Sequence, residues 1–151
     1  MMEFYTRISI PKAPFTFSYT EQTVLLGSCF VENIGKKLEE NKFKTDLNPF
    51  GTLYNPSSIA EAIRMLLRPE RFTGDDLFRH EGIYHSFSHH SRFSSPSETE
   101  CLENINTRLF SSADKIREAR RMIVTFGTAR VYRLKSSGKI VSNCHKLPEK
   151  M

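Results

Sequence analysis

A short apolar run near the start of the chain leads directly into a glycine, a serine and a helix-forming segment. Residues 23–26 read Thr-Val-Leu-Leu without polar alternation, which is typical of a strand buried on both faces. Gly27 permits a sharp turn after this strand. Phe30, Ile34 and Leu38 then recur at four-residue spacing, which predicts a helix over about residues 29–41. This strand–turn–helix unit favours an α/β fold.

Ser28 stands at the start of that helix and has two interpretations. A serine between a strand and a helix is commonly an N-cap, whose hydroxyl accepts a hydrogen bond from the first turn. Several α/β hydrolases present a nucleophile at the same place, where free amide N–H groups and the helix dipole stabilise a developing oxyanion. The second interpretation also requires a base, and none is obvious near Ser28.

Composition excludes several classes of protein. The 151 residues are 38% hydrophobic and 26% charged, as in one ordinary globular domain. The net charge of +5 is spread along the chain without an aromatic-interleaved basic stripe, so we expect no nucleic-acid partner. The three scattered cysteines indicate neither a disulfide framework nor a zinc site. No signal peptide or membrane-spanning segment is evident, so we expect a cytoplasmic location.

The remaining elements alternate between helical and extended patterns. Ser58 and Glu61 form a capping-box pattern at the start of a second helix, which Pro69 ends. Residues 76–95 alternate loosely around Gly82 and are expected to form a hairpin or an irregular excursion, and helices are expected from about 97 and again near 112–120. Residues 122–126 form a second buried strand, and residues 131–143 a second hairpin. Residues 4–10 are a candidate edge strand.

Strands separated by helices indicate a parallel sheet with helices on its faces. The chain has only two strongly apolar central strands, whereas such a sheet generally uses about five or six. We therefore expect residues 1–151 to be the N-terminal part of one larger domain whose sheet is incomplete at the C-terminus. The loops at Gly27-Ser28 and Gly127-Thr128 follow the two central strands, and the crevice at such strand ends is where ligands bind.

Five segments, in order along the chain, resemble the bacterial GSCFA-domain proteins over nearly its whole length: Leu26-Gly-Ser-Cys-Phe30, Asn48-Pro-Phe-Gly-Thr-Leu-Tyr-Asn-Pro56, His89-His-Ser-Arg-Phe-Ser94, Thr125-Phe-Gly-Thr-Ala129 and Asn143-Cys-His-Lys146. This family is grouped with the SGNH (GDSL-like) hydrolases. The resemblance implies a three-layer α/β/α, flavodoxin-like parallel sheet and ester hydrolysis, with no cofactor and no metal.

The same resemblance implies roles for individual residues. Ser28 corresponds to the nucleophile, and Gly51 to a glycine whose amide, together with that of Ser28 itself, holds the oxyanion. The superfamily's Gly-x-Asn is replaced here by Gly127-Thr128-Ala129, so Asn143 is a candidate oxyanion donor instead. The Asp-x-x-His that supplies the base is absent, which agrees with a shortened chain. Arg130 stands where relatives often carry tryptophan.

Alternatives remain for the other candidates. Cys29 is either a rival nucleophile or a small buried residue, and His145 either a base or a surface residue. Asn48-Pro-Phe-Gly51 is either a plain turn or part of the site. A metal site at His85, His89 and His90 would need a helix to bring the side chains to one side, and Gly82 and the β-rich surroundings disfavour a helix there. A metal-dependent hydrolase is a further alternative, in which the pairs His89-His90 and Cys144-His145 would supply the ligands. Core positions are expected for Tyr54, Phe50 and Phe93.

The residues and the resemblance together predict an SGNH-type serine hydrolase acting on a small acyl ester or acylated sugar. The alternative is a non-catalytic module that binds an ester or glycan in the same crevice because the histidine base is missing. The 151-residue chain by itself is expected to be nearly inactive. An exposed apolar edge strand of the incomplete sheet also favours self-association.

Overall fold

The computed structural model describes residues 8–142 and shows a mixed α/β fold with a small parallel sheet. Strand β1 (Thr23–Gly27) lies in the centre, between β2 (Thr45–Leu47) and, on the other side, β5 (Arg121–Thr125). Both neighbours run parallel to β1, and every β1 residue is buried. The predicted α/β class and the buried central strand β1 are confirmed, whereas the second predicted central strand, β5, lies at the sheet edge and is not buried.

Three α-helices cover this sheet: α1 (Cys29–Glu40), α2 (Pro56–Leu67) and α3 (Glu98–Glu118). Val24 and Leu26 of β1 join a cluster with apolar residues of α2 and α3. Neighbouring side chains of a strand point to opposite faces, so Leu25 and its partner Leu47 face the other way. A Cβ added at Gly35 of α1 would lie 2.5 Å from the Leu47 side chain, so α1 packs on that second face.

Helix α1 was predicted correctly in extent but not in orientation. The residues that it buries are Val31 and Gly35, whereas Phe30 is 64% exposed. The four-residue spacing of Phe30, Ile34 and Leu38 therefore marks a neighbouring stripe that is only partly covered. Position 35 faces the sheet and is occupied by glycine, because a side chain there would collide with Leu47.

The starts and ends of the other two helices differ from the sequence prediction. Helix α2 begins two residues before Ser58, because Asn55 is its cap and accepts a hydrogen bond from the Ser58 amide at 2.8 Å. The expected capping box at Ser58 is therefore wrong. Helix α3 is one continuous helix of 21 residues, not two. Its buried Ser112 accepts a hydrogen bond from Arg108 at 2.7 Å, so this serine does not interrupt the helix.

Two antiparallel hairpins complete the described chain. Strands β3 (Leu77–His80) and β4 (Ile83–Ser86) pair through a turn at Glu81-Gly82, where both residues have positive φ. Strands β6 (Tyr132–Arg133) and β7 (Ile140–Val141) form the second. Both hairpins were predicted. Residues 8–10 do not form the expected edge strand, and the rest of that segment lies outside the described residues.

Strand β5 is an edge strand within the described part of the chain, although its sequence resembles that of a central one. It pairs with β1 and with no other described strand. Met122 on this strand is 41% exposed, and Phe126 just beyond it is 61% exposed. Among residues 8–142, no helix combines the length and the apolar character that crossing a bilayer would require.

Candidate functional site

The carboxyl ends of the parallel strands β1 and β5 lie side by side, and there Gly27 is the register partner of Thr125. Gly27 has a φ of +142°, and a Cβ there would lie 2.2 Å from the Thr125 carbonyl oxygen. Only glycine fits this close approach, because both the backbone conformation and the space exclude a side chain. The chain turns here and places Ser28 at the first position before α1.

Ser28 has the position of an N-cap but not its hydrogen bond. Its side chain makes no capping bond to the first turn of α1. The Ser28 hydroxyl oxygen lies instead 3.1 Å from Thr125 Oγ1, and the Ser28 amide donates to the same oxygen at 3.1 Å. Ser28 is 7% exposed. The simple capping interpretation therefore does not describe this side chain.

The loop between β2 and α2 packs directly under this turn. The buried side chain of Asn48 accepts a hydrogen bond from the Gly27 amide at 2.9 Å, and the Leu53 amide donates to the Gly27 carbonyl oxygen at 2.9 Å. Asn48 itself has a φ of +42°, a left-handed conformation that asparagine tolerates better than most residues. The Asn48–Gly51 segment is thus both a turn and a structural support of the Ser28 loop.

Gly51 lies in this loop, but its amide is already used. The Gly51 N–H donates to the Asn48 carbonyl oxygen at 2.8 Å, which closes the turn. Its φ is +83°, and a Cβ there would lie 2.1 Å from the Cβ of His90. Glycine is therefore required for the packing of the loop, and in this conformation the amide is not available to an oxyanion.

Gly127 is brought to the same place from the other side. The amides of Gly127 and Thr128 both donate to the Tyr54 carbonyl oxygen, at 2.8 and 3.1 Å. A Cβ at Gly127 would lie 2.8 Å from Tyr54 Cδ1 and 3.6 Å from the Ser28 Cβ. Gly127 and the Tyr54 ring therefore form a wall beside Ser28.

Three aromatic residues were expected in the core, and two of them are there. Phe50 and Phe93 are buried, but Tyr54 is 46% exposed and borders the site. Cys29 also differs from the favoured expectation of a small buried residue, because it is exposed. The first turn of α1 points Cys29 away from the core, whereas Ser28 is held inward by Thr125.

The histidines support the loops rather than form a recognisable metal cluster. His89 stacks on Phe50 at 4.8 Å and its Nδ1 lies 3.0 Å from Ser86 Oγ, while His85 Nδ1 lies 2.8 Å from Ser94 Oγ. Within residues 8–142, no group of three or more potential ligands is arranged to hold a metal ion. Asn143, Cys144 and His145 lie outside the described residues.

Thr125, whose hydroxyl contacts both the amide and the hydroxyl of Ser28, was given no role from the sequence. Parallel alignment of the two buried strands at their glycine-containing ends would have placed it there, because Gly27 and Thr125 are register partners. Glu32 and Arg92 were likewise given no role from the sequence. Their contacts with the Asn48 loop join segments far apart in sequence, and no local pattern reveals them.

Comparison with known proteins assigns the chain to a family. Searches among curated proteins and among solved structures find no significant match. The model of the GSCFA family matches residues 22–151, which include the strand–turn–helix unit, the Asn48 loop and the Gly127 loop. The chain therefore belongs to the GSCFA family.

Proposed function

We propose that this protein is the N-terminal part of an SGNH-type serine hydrolase that cleaves small acyl esters or acylated sugars, with Ser28 as its nucleophile. The observation that carries the proposal is the Ser28 hydroxyl, which stands at a helix N-terminus without capping it. A serine that forgoes its cap gives up about 1 kcal/mol of helix stabilisation. This arrangement is more readily explained by a chemical role for the hydroxyl than by a structural one.

The reaction is an acyl transfer through a covalent intermediate. Ser28 Oγ attacks the ester carbonyl carbon, its proton passes to a base, and the carbonyl oxygen becomes an oxyanion. The alcohol leaves with a proton returned by the base, and water then releases the acid from Ser28. Thr125 Oγ1 accepts from the Ser28 amide, and in this proposal its own hydrogen is donated to Ser28 Oγ. That arrangement leaves the Ser28 hydrogen to the base.

The Ser28 amide, expected to hold the oxyanion, donates to Thr125 Oγ1 instead, so we assign the oxyanion to the next amides at the start of α1. The first amides of a helix have no carbonyl partner within it, and the earliest helical bond here is that of Glu32 to the Ser28 carbonyl. The amides of Cys29 and Phe30 precede this bond and lie next to Ser28. Gly51 joins them only if its amide leaves the Asn48 carbonyl oxygen. Asn143 remains the candidate side-chain donor.

The base is the part that the described site does not supply. The family resemblance implies an Asp-x-x-His, and this chain contains none, so we place the histidine in a segment that follows residue 151. In the same proposal the sheet continues beyond β5 in a flavodoxin-like order, which accounts for a β5 edge that is apolar and exposed. His145 is the candidate within the chain.

A non-catalytic function is the second candidate, and one contact favours it. The described partner of Ser28 Oγ is a threonine hydroxyl, which is far too weak a base to activate a serine at neutral pH. Without a histidine, the surface around Ser28, Tyr54 and Gly127 would bind an ester or glycan and leave it intact.

A fluorophosphonate probe, used on the whole product of the source gene, tests the first candidate. We expect labelling at Ser28 that is lost in Ser28→Ala and retained in Cys29→Ala, because the exposed thiol takes no part. Labelling that persists in Ser28→Ala would remove the proposal. Sequencing the gene beyond the Met151 codon separates the two candidates. A stop codon there, with no labelling, would favour the binding module.

A further inference from the structure

Asn48 is the most connected residue beneath the serine turn. It is fully buried, and its side-chain oxygen accepts from the Gly27 amide at 2.9 Å. Its side-chain nitrogen donates to Glu32 Oε2 of helix α1 at 2.7 Å. Its backbone amide donates to the Leu25 carbonyl oxygen at 2.8 Å. One side chain therefore links the end of β1 with the first turns of α1, on both sides of Ser28.

The orientation of the Asn48 amide is set by its two partners. A backbone N–H can only donate, so the atom facing Gly27 must be the oxygen. A carboxylate can only accept, so the atom facing Glu32 must be the nitrogen. Glu32 thus prevents the Asn48 side-chain amide from flipping by 180°, because a flip would point the amide NH2 group at the Gly27 N–H. A hydrogen bond to a carboxylate is also stronger than one between neutral groups.

The segment from His89 to Phe93 clamps the same loop from outside. The Arg92 guanidinium donates to the Asn48 carbonyl oxygen at 2.6 Å and lies 3.9 Å from Glu32. The His90 amide donates to the Phe50 carbonyl oxygen at 2.8 Å. These contacts give a role to the His-His-Ser-Arg-Phe motif, which the ester-hydrolysis mechanism leaves unexplained.

We propose that Asn48, oriented by Glu32, is a positioning residue that fixes the Gly27–Ser28 turn so that the Ser28 hydroxyl stays aimed at the substrate. As a statement about catalysis it rests on the proposed function, whereas the holding of the turn is independent of it. Glu32 and Arg92 act through Asn48 and not on the substrate. In this network, polar groups from three separate segments, with the buried Asn48 at its centre, hold the Gly27–Ser28 turn.

A reversal of donor and acceptor tests the inference. In Asn48→Asp, one carboxylate oxygen still accepts from Gly27, but the other faces the Glu32 carboxylate and repels it. In the double variant N48D/E32Q, the new amide at position 32 donates to the new carboxylate, so the bond between residues 48 and 32 returns with donor and acceptor exchanged, while Gly27 still donates to residue 48. Glu40→Gln, an exposed change on the same helix, is the matched control.

Amide hydrogen exchange at Gly27, followed by NMR, reports the turn, and fluorophosphonate labelling reports Ser28. We expect N48D to speed Gly27 exchange and slow labelling by about tenfold or more, because the partly buried hydrogen bond between Asn48 and Glu32 is replaced by repulsion. The double variant should recover most of both losses, and E40Q should change neither. Exchange in α3 should stay unchanged, since a general loss of stability would raise it there too.

Two results would overturn the inference. One is Gly27 exchange that N48D leaves unchanged, and the other is a double variant that recovers neither exchange nor labelling, although circular dichroism shows it to be folded. The failure of the proposed function looks different. In that case the unaltered protein is not labelled at Ser28, yet Gly27 exchange still rises in N48D and falls again in the double variant.

Discussion

Replacing Gly27 by alanine should destabilise the protein far more than one methyl group ordinarily does. The added carbon would lie 2.2 Å from the Thr125 carbonyl oxygen, 2.5 Å from Thr125 Oγ1 and 2.9 Å from the Thr125 amide nitrogen. Two of these atoms belong to the β5 backbone, which is paired with β1 along five residues and cannot move away alone. The φ of +142° is also one that alanine rarely adopts.

Two costs add in this substitution. Holding a non-glycine residue in such a backbone conformation costs about 1–3 kcal/mol. Forcing an extra methyl group into a closely packed site costs about 1–3 kcal/mol more. The total, about 2–6 kcal/mol, is a large part of the roughly 5–15 kcal/mol that stabilises a typical domain. For a domain of this size, we expect Tm to fall by roughly 5–20 °C.

Urea denaturation followed by circular dichroism measures the effect, and Gly82→Ala is its matched control. Gly82 also has a positive φ, +81°, but a Cβ there meets nothing within 4 Å. The control carries the conformational cost alone, about 1–2 kcal/mol. If Gly27→Ala lowered the free energy of unfolding no more than Gly82→Ala, then the close approach of β1 and β5 would not be what requires glycine.

Four further predictions concern separate features of the structure. Gly127→Ala should reduce labelling of Ser28 with little change in Tm, because its new methyl meets only side chains. Arg108→Ala should lower the free energy of unfolding in urea by up to about 3 kcal/mol, because Arg108 lies 2.6 Å from the buried carboxylate of Asp46 in β2. The exposed ion pair between Arg117 and Asp114 should contribute less than about 1 kcal/mol. Asn55→Ala should cost about 1–2 kcal/mol as a lost helix cap, and a smaller cost would mean that the cap bond is unimportant. Met122→Lys should weaken self-association, measured by sedimentation velocity, because it places a charge at the exposed edge of β5. If the sedimentation profile did not change, the surface that self-associates would lie elsewhere.

The sequence predicted the elements whose signals are local. The apolar run before Gly27, the hairpin at Gly82 and the start of α1 each follow from residue type and spacing within a few positions. Errors occurred where a tertiary contact decides. Ser112 continues a helix because Arg108 and the core surround it. Asn55 caps α2 in place of Ser58 because the loop that follows Gly51 positions the Asn55 side chain next to the Ser58 amide.

The site was predicted at the level of loops and not at the level of contacts. Parallel strands bring their carboxyl ends together, so the meeting of Ser28 with the Gly127 loop could be expected. The partner of Ser28, however, is 97 residues away along the chain, and the Asn48 bond to Gly27 spans 21. Such bonds depend on the relative placement of whole elements, which composition and periodicity do not determine.

Three departures from ordinary local preference lie at this one edge of the sheet. Ser28 is a capping residue that does not cap, Asn48 is a buried residue with positive φ, and Tyr54 leaves a large aromatic ring 46% exposed. Each costs stability that a more usual residue or conformation would retain. Natural sequences generally agree with local preference except at functional or strained sites. Their concentration around a single hydroxyl therefore argues that selection has acted on the environment of Ser28.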